Sequence, residues 1–422
     1  MAKDKVIKIN KFGGASVCTA SAVKKVAEII HSIEGNIVVV VSAMGKTTNN
    51  LERVVNLWFN NDMIFWSVFN EIKNYHQNII DELFGKGCEL FFEDFKELEE
   101  MLTESPSLDY NFEYDKIVSY GEILSTKIVS QYLQKTTRDV RWFDIRKLLK
   151  TDSVFREATV DWNLSSTLVR RAFTFNSYRT IITQGFIGST LSNLTTTLGR
   201  EGSDYTAGVL AWILDAHSVT VWKDVPGIMN ADPKWLPEAV TLDQLSYSEA
   251  VELSFYGAKV IHPKTLRPLQ QKNIPLYVRS FIEPSLKGTT IRDLKIEQNT
   301  PFYIRKENQI LVTLYPQDFT FMAYNNITAI HDIFYRYRLR INLIQMSALS
   351  YSVCFDNKPE IWDEVKDSLS ELYRIKYNTA VELITIRHYN DDTIQNITKK
   401  GKVFLEQKTR VTIQFVISRK AE

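Results

Sequence analysis

The first 41 residues place a strand, a turn, a helix and a second strand one after another. Val6 to Ile9 is a short strand pattern, and Lys11-Phe12-Gly13-Gly14 is the turn. Apolar residues then recur at helical spacing until Gly35, a residue type that commonly ends a helix. Residues 37–41 are apolar throughout, which is typical of a strand covered on both faces. This order predicts a right-handed βαβ unit and hence a parallel sheet.

The alternation of strands and helices continues to about residue 293. Three further strand patterns lie at 179–183, 218–222 and 274–278. A clear helix pattern, Tyr205 to Leu214, precedes the second of them, and residues 50–104 are rich in aromatic side chains at helical spacing. We therefore predict an α/β fold for residues 1–293, a three-layer αβα sandwich with a mainly parallel sheet.

The pattern changes after a polar stretch that contains Pro301. We predict a linker at 294–308 and a separate C-terminal region at 309–422. Strand and helix patterns there follow the order βαββαβ, which is a ferredoxin-like unit. They lie at Ile310–Tyr315, Ile327–Tyr337, Ile341–Met346, Tyr351–Phe355, Glu360–Leu372 and Ala380–Ile386. The remaining residues suffice for only a truncated second unit.

Bulk composition excludes several classes of protein. The net charge of +1 gives no reason to expect nucleic acid or an anionic membrane as a partner. The three cysteines are far apart, which favours a reducing compartment over a disulfide frame or a zinc site. No signal peptide or long apolar run is present, so we expect a cytoplasmic protein. The basic and aromatic run Tyr335-Arg336-Tyr337-Arg338 is best explained as a solvated helix end.

The glycine turn at 11–14 is the first candidate for chemistry. Two glycines between a strand and a helix let backbone amides approach a phosphate, and a lysine adds a full positive charge. A tight turn with a solvated lysine explains the same residues. A second candidate, Gly45-Lys46-Thr47, lacks the first glycine of a P-loop, because position 40 is Val40 in the apolar strand. A nucleotide site must therefore be built differently.

The segment 195–204 is more specific. Three threonines and two glycines surround Arg200 directly before a helix pattern. An arginine fork suits a carboxylate or a phosphate, and the glycines free the chain to wrap a ligand. The alternative is that Ser203 or Asp204 merely caps the helix while Arg200 is solvated.

Each of three other segments can be interpreted either as part of a functional site or as a purely structural feature. The loop that starts at Lys223 follows a strand, where α/β folds bind ligands, but its Pro-Gly pair also makes an ordinary type II turn. The segment 257–263 supplies a further phosphate-binding lysine or simply ends a helix. Glu122 stands three residues after Ser119, a spacing that also makes a capping box.

Taken in order, these segments resemble the aspartate kinases of the amino-acid kinase family. The matching stretches are KFGGASV (11–17), VVSAMGKTTNNL (40–51), SYGEILS (119–125), FDIR (143–146), ITQGFIGS (182–189), TTTLGREGSDYTA (195–207), KDVPGIMNADP (223–233) and ELSFYGAKVIHP (252–263). The C-terminal region is similar to the ACT regulatory module, which implies a homodimer formed through that region. The resemblance implies phosphorylation of the L-aspartate side chain by ATP with Mg²⁺, the first step of lysine, threonine and methionine synthesis.

The resemblance also implies residue roles. Lys11 would stabilise the transferring phosphoryl group, and Asp204 would hold that lysine. Four residues would line the aspartate pocket: Thr48, Glu122 facing the α-ammonium, Arg200 on the α-carboxylate, and Ser203. The residues that would contact ATP are Lys11, Gly13, Gly14, Lys223, Asp224, Met229, Lys234, Lys259 and Val260. The metal ligands are not identified. The nucleophile would be a carboxylate with a pKa of about 3.9, so no general base is required.

This sequence departs from the family pattern in its pocket and in its regulatory region. Glu201 replaces a glycine beside Arg200, Met229 replaces an aromatic residue, and Lys234 replaces an arginine. Asn325-Asn326 and Asn342 stand where lysine-sensitive relatives have a glycine-containing loop and an aspartate. Losing a carboxylate that would pair the effector's ammonium predicts weak or absent inhibition by lysine.

Three other functions are alternatives to an aspartate kinase. Another amino-acid kinase, such as one acting on glutamate, would differ only in substrate length, and a comparison of the two substrates decides between them. A catalytically silent ACT sensor is disfavoured because Lys11, Asp204 and Asp224 are all present. Fusion to a homoserine dehydrogenase is disfavoured because no G-x-G-x-x-G unit follows residue 309.

Overall fold

The computed structural model describes residues 6–89, 91–137, 139–258, 261–294, 300–318, 320–399 and 401–419. Within them the chain forms two compact units. The first takes in the described residues up to Ile228, Thr241–Val251, and those from 261 to 294. The second takes in Met229–Val240, the described part of Glu252–Lys259, and the described residues beyond 299. In the ranges described, no helix has the length and apolar character needed to cross a bilayer.

The first unit is built on an eight-stranded sheet, accompanied by one small hairpin. The strands, in chain order, are β1 (Ile7–Phe12), β2 (Asn36–Val41), β3 (Val140–Phe143), β4 (Thr180–Gln184), β5 (Ile187–Ser189), β6 (Thr195–Thr197), β7 (Ser218–Lys223), β8 (Gln244–Ser246), β9 (Leu276–Ser280) and β10 (Thr289–Arg292). The sheet order is β3-β4-β2-β1-β7-β9-β10-β8, while β5 and β6 form the hairpin. Only the contact between β9 and β10 is antiparallel among these sheet pairs. The predicted α/β fold with a mainly parallel sheet is confirmed.

Helices accompany these strands. They are α1 (Ala20–Ser32), α2 (Thr47–Phe59), α3 (Phe65–Phe84), α4 (Phe92–Thr103), α5 (Tyr110–Val118), α6 (Tyr120–Thr136), α7 (Trp162–Ala172), α8 (Gly202–Ile213), α9 (Tyr247–Tyr256) and α10 (Pro263–Gln271). The side chain of Thr19 accepts a hydrogen bond from the amide of Ala22 and so caps α1. Residues 37–41 of β2 are fully buried, as their unbroken apolar run predicts. This buried strand fixes the position of the loop after it, and that loop is part of the candidate site described below.

The second unit is an antiparallel sheet with helices. Its elements are β11 (Phe302–Pro316), α11 (Tyr324–Arg336), β12 (Ile341–Met346), β13 (Tyr351–Asp356), α12 (Pro359–Ser370), β14 (Tyr373–Arg387), α13 (Asp391–Thr398), β15 (Gly401–Lys408) and β16 (Thr412–Arg419). The strand order is β12-β13-β11-β14-β16-β15. The elements from β11 to β14 follow the predicted order βαββαβ. Helix α13 follows β14 in the chain, and β16 and β15 extend the sheet beyond β14.

Part of the predicted linker is a strand. Strand β11 begins at Phe302, so residues 302–308 are not a free connection. Phe302 and Ile304 are buried while Tyr303 and Arg305 are only half-buried, an alternation that suits a strand. Polar Lys306 to Asn308 masked this short pattern in the sequence. The predicted domain boundaries themselves stay a prediction.

Candidate active site

The carboxyl ends of parallel strands bring the candidate residues of the first unit to one edge of the sheet. Lys11 near the end of β1 is in register with Val40 of β2 and Val221 of β7. Strand β4 runs parallel to β2 on its other side. The loops after β1, β2, β4 and β7 therefore leave the sheet at the same edge, where α/β folds bind ligands.

The glycine turn after β1 packs against the loop after β2. Gly45 donates its backbone N–H to the carbonyl of Gly14 at 3.0 Å. A Cβ atom on Gly14 would lie 2.7 Å from the carbonyl oxygen of Ala43 and 2.8 Å from that of Gly45. Glycine at position 14 is thus required by the close approach of two backbones. Gly13 has ordinary extended torsion angles and precedes a short 3-10 helix, Gly14–Val17.

Lys11 and Asp204 form an ion pair in this region. The distance from Lys11 Nζ to Asp204 Oδ1 is 2.7 Å, with both side chains largely buried. Asp204 Oδ1 makes no well-aligned hydrogen bond with the described residues, so its contact with Lys11 is an ion pair alone. Asp204 is in the first turn of α8. The salt bridge fixes the ammonium group beside the glycine turn, since a Cβ on Gly13 would be only 3.5 Å from Lys11 Nζ.

Glu122 has an unusual environment for a carboxylate. Its Oε1 accepts a hydrogen bond from the Ala43 amide at 3.3 Å, while its buried Oε2 has no partner among the described residues. Burial raises the pKa of Glu122 to about 8, against the opposing effects of backbone hydrogen bonds and of the charge on Lys11. A cation placed beside Oε2 would compensate this desolvation.

The capping box between Ser119 and Glu122 is wrong. Ser119 has helical torsion angles and its hydroxyl donates to the carbonyl of Lys116, so its side chain does not cap the start of α6. Helix α5 runs almost directly into α6, which leaves no extended residue to serve as a cap. The carboxylate of Glu122 is consequently free to face the loop after β2.

The other predicted aspartate ligands lie at helix starts. Thr48 is half-buried in the first turn of α2, and Ser203 is buried in the first turn of α8. Arg200 is exposed and has no ion pair or hydrogen bond with the residues that the structure describes. The cap of α8 is Glu201, with no side-chain hydrogen bond to its own helix. Capping by Ser203 or Asp204 is therefore wrong.

The predicted nucleotide ligands are divided between the two units. Lys223 ends β7 and Asp224 follows it, exposed, in the first unit. Met229 is half-buried and Lys234 is exposed in the second unit. Lys259 and Val260 lie outside the described residues. Across the described ranges, no three histidine, cysteine or acidic side chains form a group that could hold a metal ion.

Asp115 is a buried residue of the site region that sequence patterns did not identify. Its carboxylate accepts hydrogen bonds from the amide and hydroxyl of Thr197 and from the amide of Arg156. Burial raises its pKa, whereas these hydrogen bonds act in the opposite direction. Asp115 thereby anchors the threonine strand β6, which leads into Arg200. Nothing in the sequence around α5 signals a partner 82 residues away.

Asn342, at the predicted effector position, is engaged by its neighbours. Its Oδ1 accepts from Lys306 Nζ at 2.7 Å. Its Nδ2 donates to Gln309 Oε1 at 2.8 Å and to Asp356 Oδ1 at 2.9 Å. Both ends of the amide are thus occupied by side chains of the second unit.

Comparison with known proteins supports the sequence resemblance. The model of the amino acid kinase family matches residues 7–280. Lysine-sensitive aspartokinase 3 of Escherichia coli (strain K12) is 32% identical over 400 residues, which cover 90% of this chain and 86% of the relative. The chloroplastic bifunctional aspartokinase/homoserine dehydrogenase 2 of Arabidopsis thaliana is 31% identical over 399 residues. The match covers 90% of this chain but only 43% of that relative.

A solved structure matches nearly the whole chain. The crystal structure of E. coli aspartokinase III in complex with aspartate and ADP has a TM-score of 0.81 and 27% identity. The match covers 97% of this chain and 96% of that chain. The similarity therefore includes both the parallel sheet and the antiparallel C-terminal sheet.

Proposed function

The chain belongs to the amino acid kinase family as an aspartokinase, and we propose that it transfers the γ-phosphoryl group of ATP to the side-chain carboxylate of L-aspartate. The product is 4-phospho-L-aspartate, which would feed lysine, threonine and methionine synthesis. The observation that carries this proposal is the unpartnered, buried oxygen of Glu122 near Lys11. The ionised form of such a buried carboxyl is stabilised by a cation, and the α-ammonium of an amino acid supplies one.

The chemistry follows from charge and position. The β-carboxylate of aspartate is ionised at neutral pH and can attack phosphorus without a base. Lys11 lies beside the glycine turn and would stabilise negative charge that develops on the transferring group. Asp204 restrains Lys11 through the 2.7 Å ion pair. Arg200 would take the α-carboxylate with its guanidinium fork, with Thr48 and Ser203 nearby.

The nucleotide assignment rests on the relative bound to ADP and aspartate. We assign phosphate binding to Gly13, Gly14 and Lys223, and further nucleotide contacts to Met229 and Lys234. Mg²⁺ would neutralise phosphate charge when bound. Mg²⁺ typically keeps several of its waters and binds through substrate phosphates with one or two carboxylates. Asp224, exposed after β7, is a further residue that we assign to the nucleotide.

Replacement of Lys11 tests the proposed function. We expect Lys11→Ala to lower kcat for aspartyl phosphate formation, trapped with hydroxylamine, on the order of 10²-fold or more because an electrostatic stabiliser is lost. Lys8→Ala, at a half-buried position of the same strand, is the control and should retain activity. Near-normal kcat in Lys11→Ala would refute the role of Lys11. Faster transfer to glutamate than to aspartate would instead favour a glutamate kinase.

Assembly and location are further proposals. We propose a homodimer formed through the second unit, supported by the edge strand β12, whose Ile344 and Met346 are exposed. Analytical ultracentrifugation of the full chain tests it, and a monomer at micromolar concentration would contradict it. A cytoplasmic location stays a prediction, since the Arabidopsis relative is chloroplastic.

A further inference from the structure

Glu201 adopts a backbone conformation that its residue type disfavours. It stands at the cap of α8 with φ 54° and ψ 28°, in the left-handed region. A residue with a Cβ atom is strained there, whereas glycine is not. The strain persists only where other contacts hold the chain in place. Such a contact is present at the end of its side chain.

The carboxylate of Glu201 reaches the beginning of another helix. Its Oε2 accepts the backbone N–H of His262 at 2.9 Å. His262 is the cap of α10, and its own Nδ1 accepts the amide of Lys264. A negative charge at a helix N-terminus is stabilised by the partial positive charge of the free amides. The two helices also pack closely, because a Cβ on Gly208 of α8 would lie 2.9 Å from the carbonyl oxygen of Thr265.

The same residue borders the proposed aspartate ligands. Arg200 lies between two left-handed residues, Gly199 with φ 76° and Glu201, so the turn determines the course of its backbone. Ser203 is fixed from the other side, because a Cβ on Gly185 would lie 2.4 Å from its own Cβ. With the carboxylate engaged by His262, Arg200 has no acidic partner among the described residues.

We propose that Glu201 is a positioning residue for aspartate, which it serves through its bond to His262. The bond holds the 199–203 turn against α10 and keeps the Glu201 carboxylate away from the guanidinium of Arg200. The backbone at Arg200 is thus held in place, and its guanidinium is left uncompensated for a substrate carboxylate. This inference rests on the proposed function, because it assigns Arg200 to the α-carboxylate.

Three substitutions at position 201 separate the charge, the reach and the strain. Glu201→Gln keeps an acceptor for His262 and should raise KM for aspartate about twofold. Glu201→Gly loses the anchor but relieves the strain, so we expect KM to rise about tenfold without a lower melting temperature. Glu201→Asp cannot reach His262 and places its charge beside Arg200, so its KM should be at least as high. KM for ATP should stay within twofold in all three.

The matched control is Asn61→Gly, which removes a side chain from a left-handed residue with φ 57° in the loop after α2. It should leave KM for aspartate unchanged. Isothermal titration calorimetry of aspartate binding to each folded variant provides a readout independent of turnover.

A KM for aspartate in Glu201→Gly and Glu201→Asp within twofold of the wild type would overturn the inference. So would a loss of kcat and melting temperature with KM unaltered, since that outcome indicates a structural role alone. An inactive wild type overturns the proposed function as well, whereas an active wild type with unaltered variants overturns only this inference.

Discussion

The buried carboxyl of Glu122 makes a quantitative prediction about protons. Its pKa of about 8, against an ordinary 4.5, corresponds to a cost on the order of 5 kcal/mol for holding the ionised form in the unliganded chain. Because the folded pKa is the higher one, the folded chain binds the extra proton. The stability contributed by that proton is fully present below about pH 4.5 and is lost as the pH rises through about 8.

Aspartate binding should reverse this preference. At pH 7 a group with a pKa of about 8 is roughly nine-tenths protonated. An α-ammonium beside Oε2 favours the ionised form, so binding should release about 0.9 proton per aspartate. For the same reason, apparent affinity should rise up to about tenfold per pH unit below pH 8. Calorimetric titrations at pH 7 in buffers of different ionisation enthalpy measure the proton count directly.

Glu122→Gln removes the titrating group while keeping its shape. We expect proton release to fall to nearly zero, aspartate KM to rise, and the unfolding free energy to exceed that of the wild type above pH 8. Glu71→Gln, at an exposed position of α3, is the control and should release as many protons as the wild type. A wild type that releases no proton on binding aspartate at pH 7 would refute both the raised pKa and the assigned partner.

Three further perturbations follow from packing and hydrogen bonding. Gly14→Ala should lower the unfolding free energy by about 1–3 kcal/mol in urea titrations, because its Cβ would lie within 2.8 Å of two backbone oxygens. Gly13→Ala should be tolerated, since its Cβ would meet no atom closer than 3.5 Å. Asp115→Ala should cost about 3 kcal/mol by the same measurement, since two buried donors of Thr197 and the part-buried amide of Arg156 lose their acceptor. The matched change at an exposed position, Asp152→Ala, should cost far less. Lysine should inhibit weakly or not at all because the amide of Asn342 is already occupied, and half-inhibition at sub-millimolar lysine in a steady-state assay would contradict this.

Local patterns predicted the frame of the fold well. The unbroken apolar run at 37–41 indicated a strand covered on both faces, and it led to the parallel sheet that is observed. Lys11 lies near the end of β1 and the two glycines follow the strand directly, so their position at the carboxyl edge required no long-range information. The order βαββαβ in the C-terminal region was visible because each element carries its own periodicity.

Features that depend on distant contacts could not be predicted. The bond from Glu201 to His262 joins residues 61 positions apart, and no local pattern specifies it. The capping box at Ser119 was wrong because α5 continues almost directly into α6. Packing determines where these helices begin and end, and the spacing of Ser119 and Glu122 does not. The start of β11 was missed because polar residues at 306–308 interrupt the alternation, at the point where the pairing with β14 shifts register between Lys306 and Gln309.

The interleaving of the two units affects how such a chain can be cut and recombined. The polypeptide enters the second unit at Met229 and at Glu252, and the described residues beyond 299 belong to it as well. Glu252 is bound to Arg387 at 3.0 Å, and Asn230 accepts the amide of Tyr303. A fragment truncated at residue 293 would retain those early segments without these partners. Regulatory modules of this design are therefore poorly suited to simple exchange between genes, and a graft would have to carry the early segments as well.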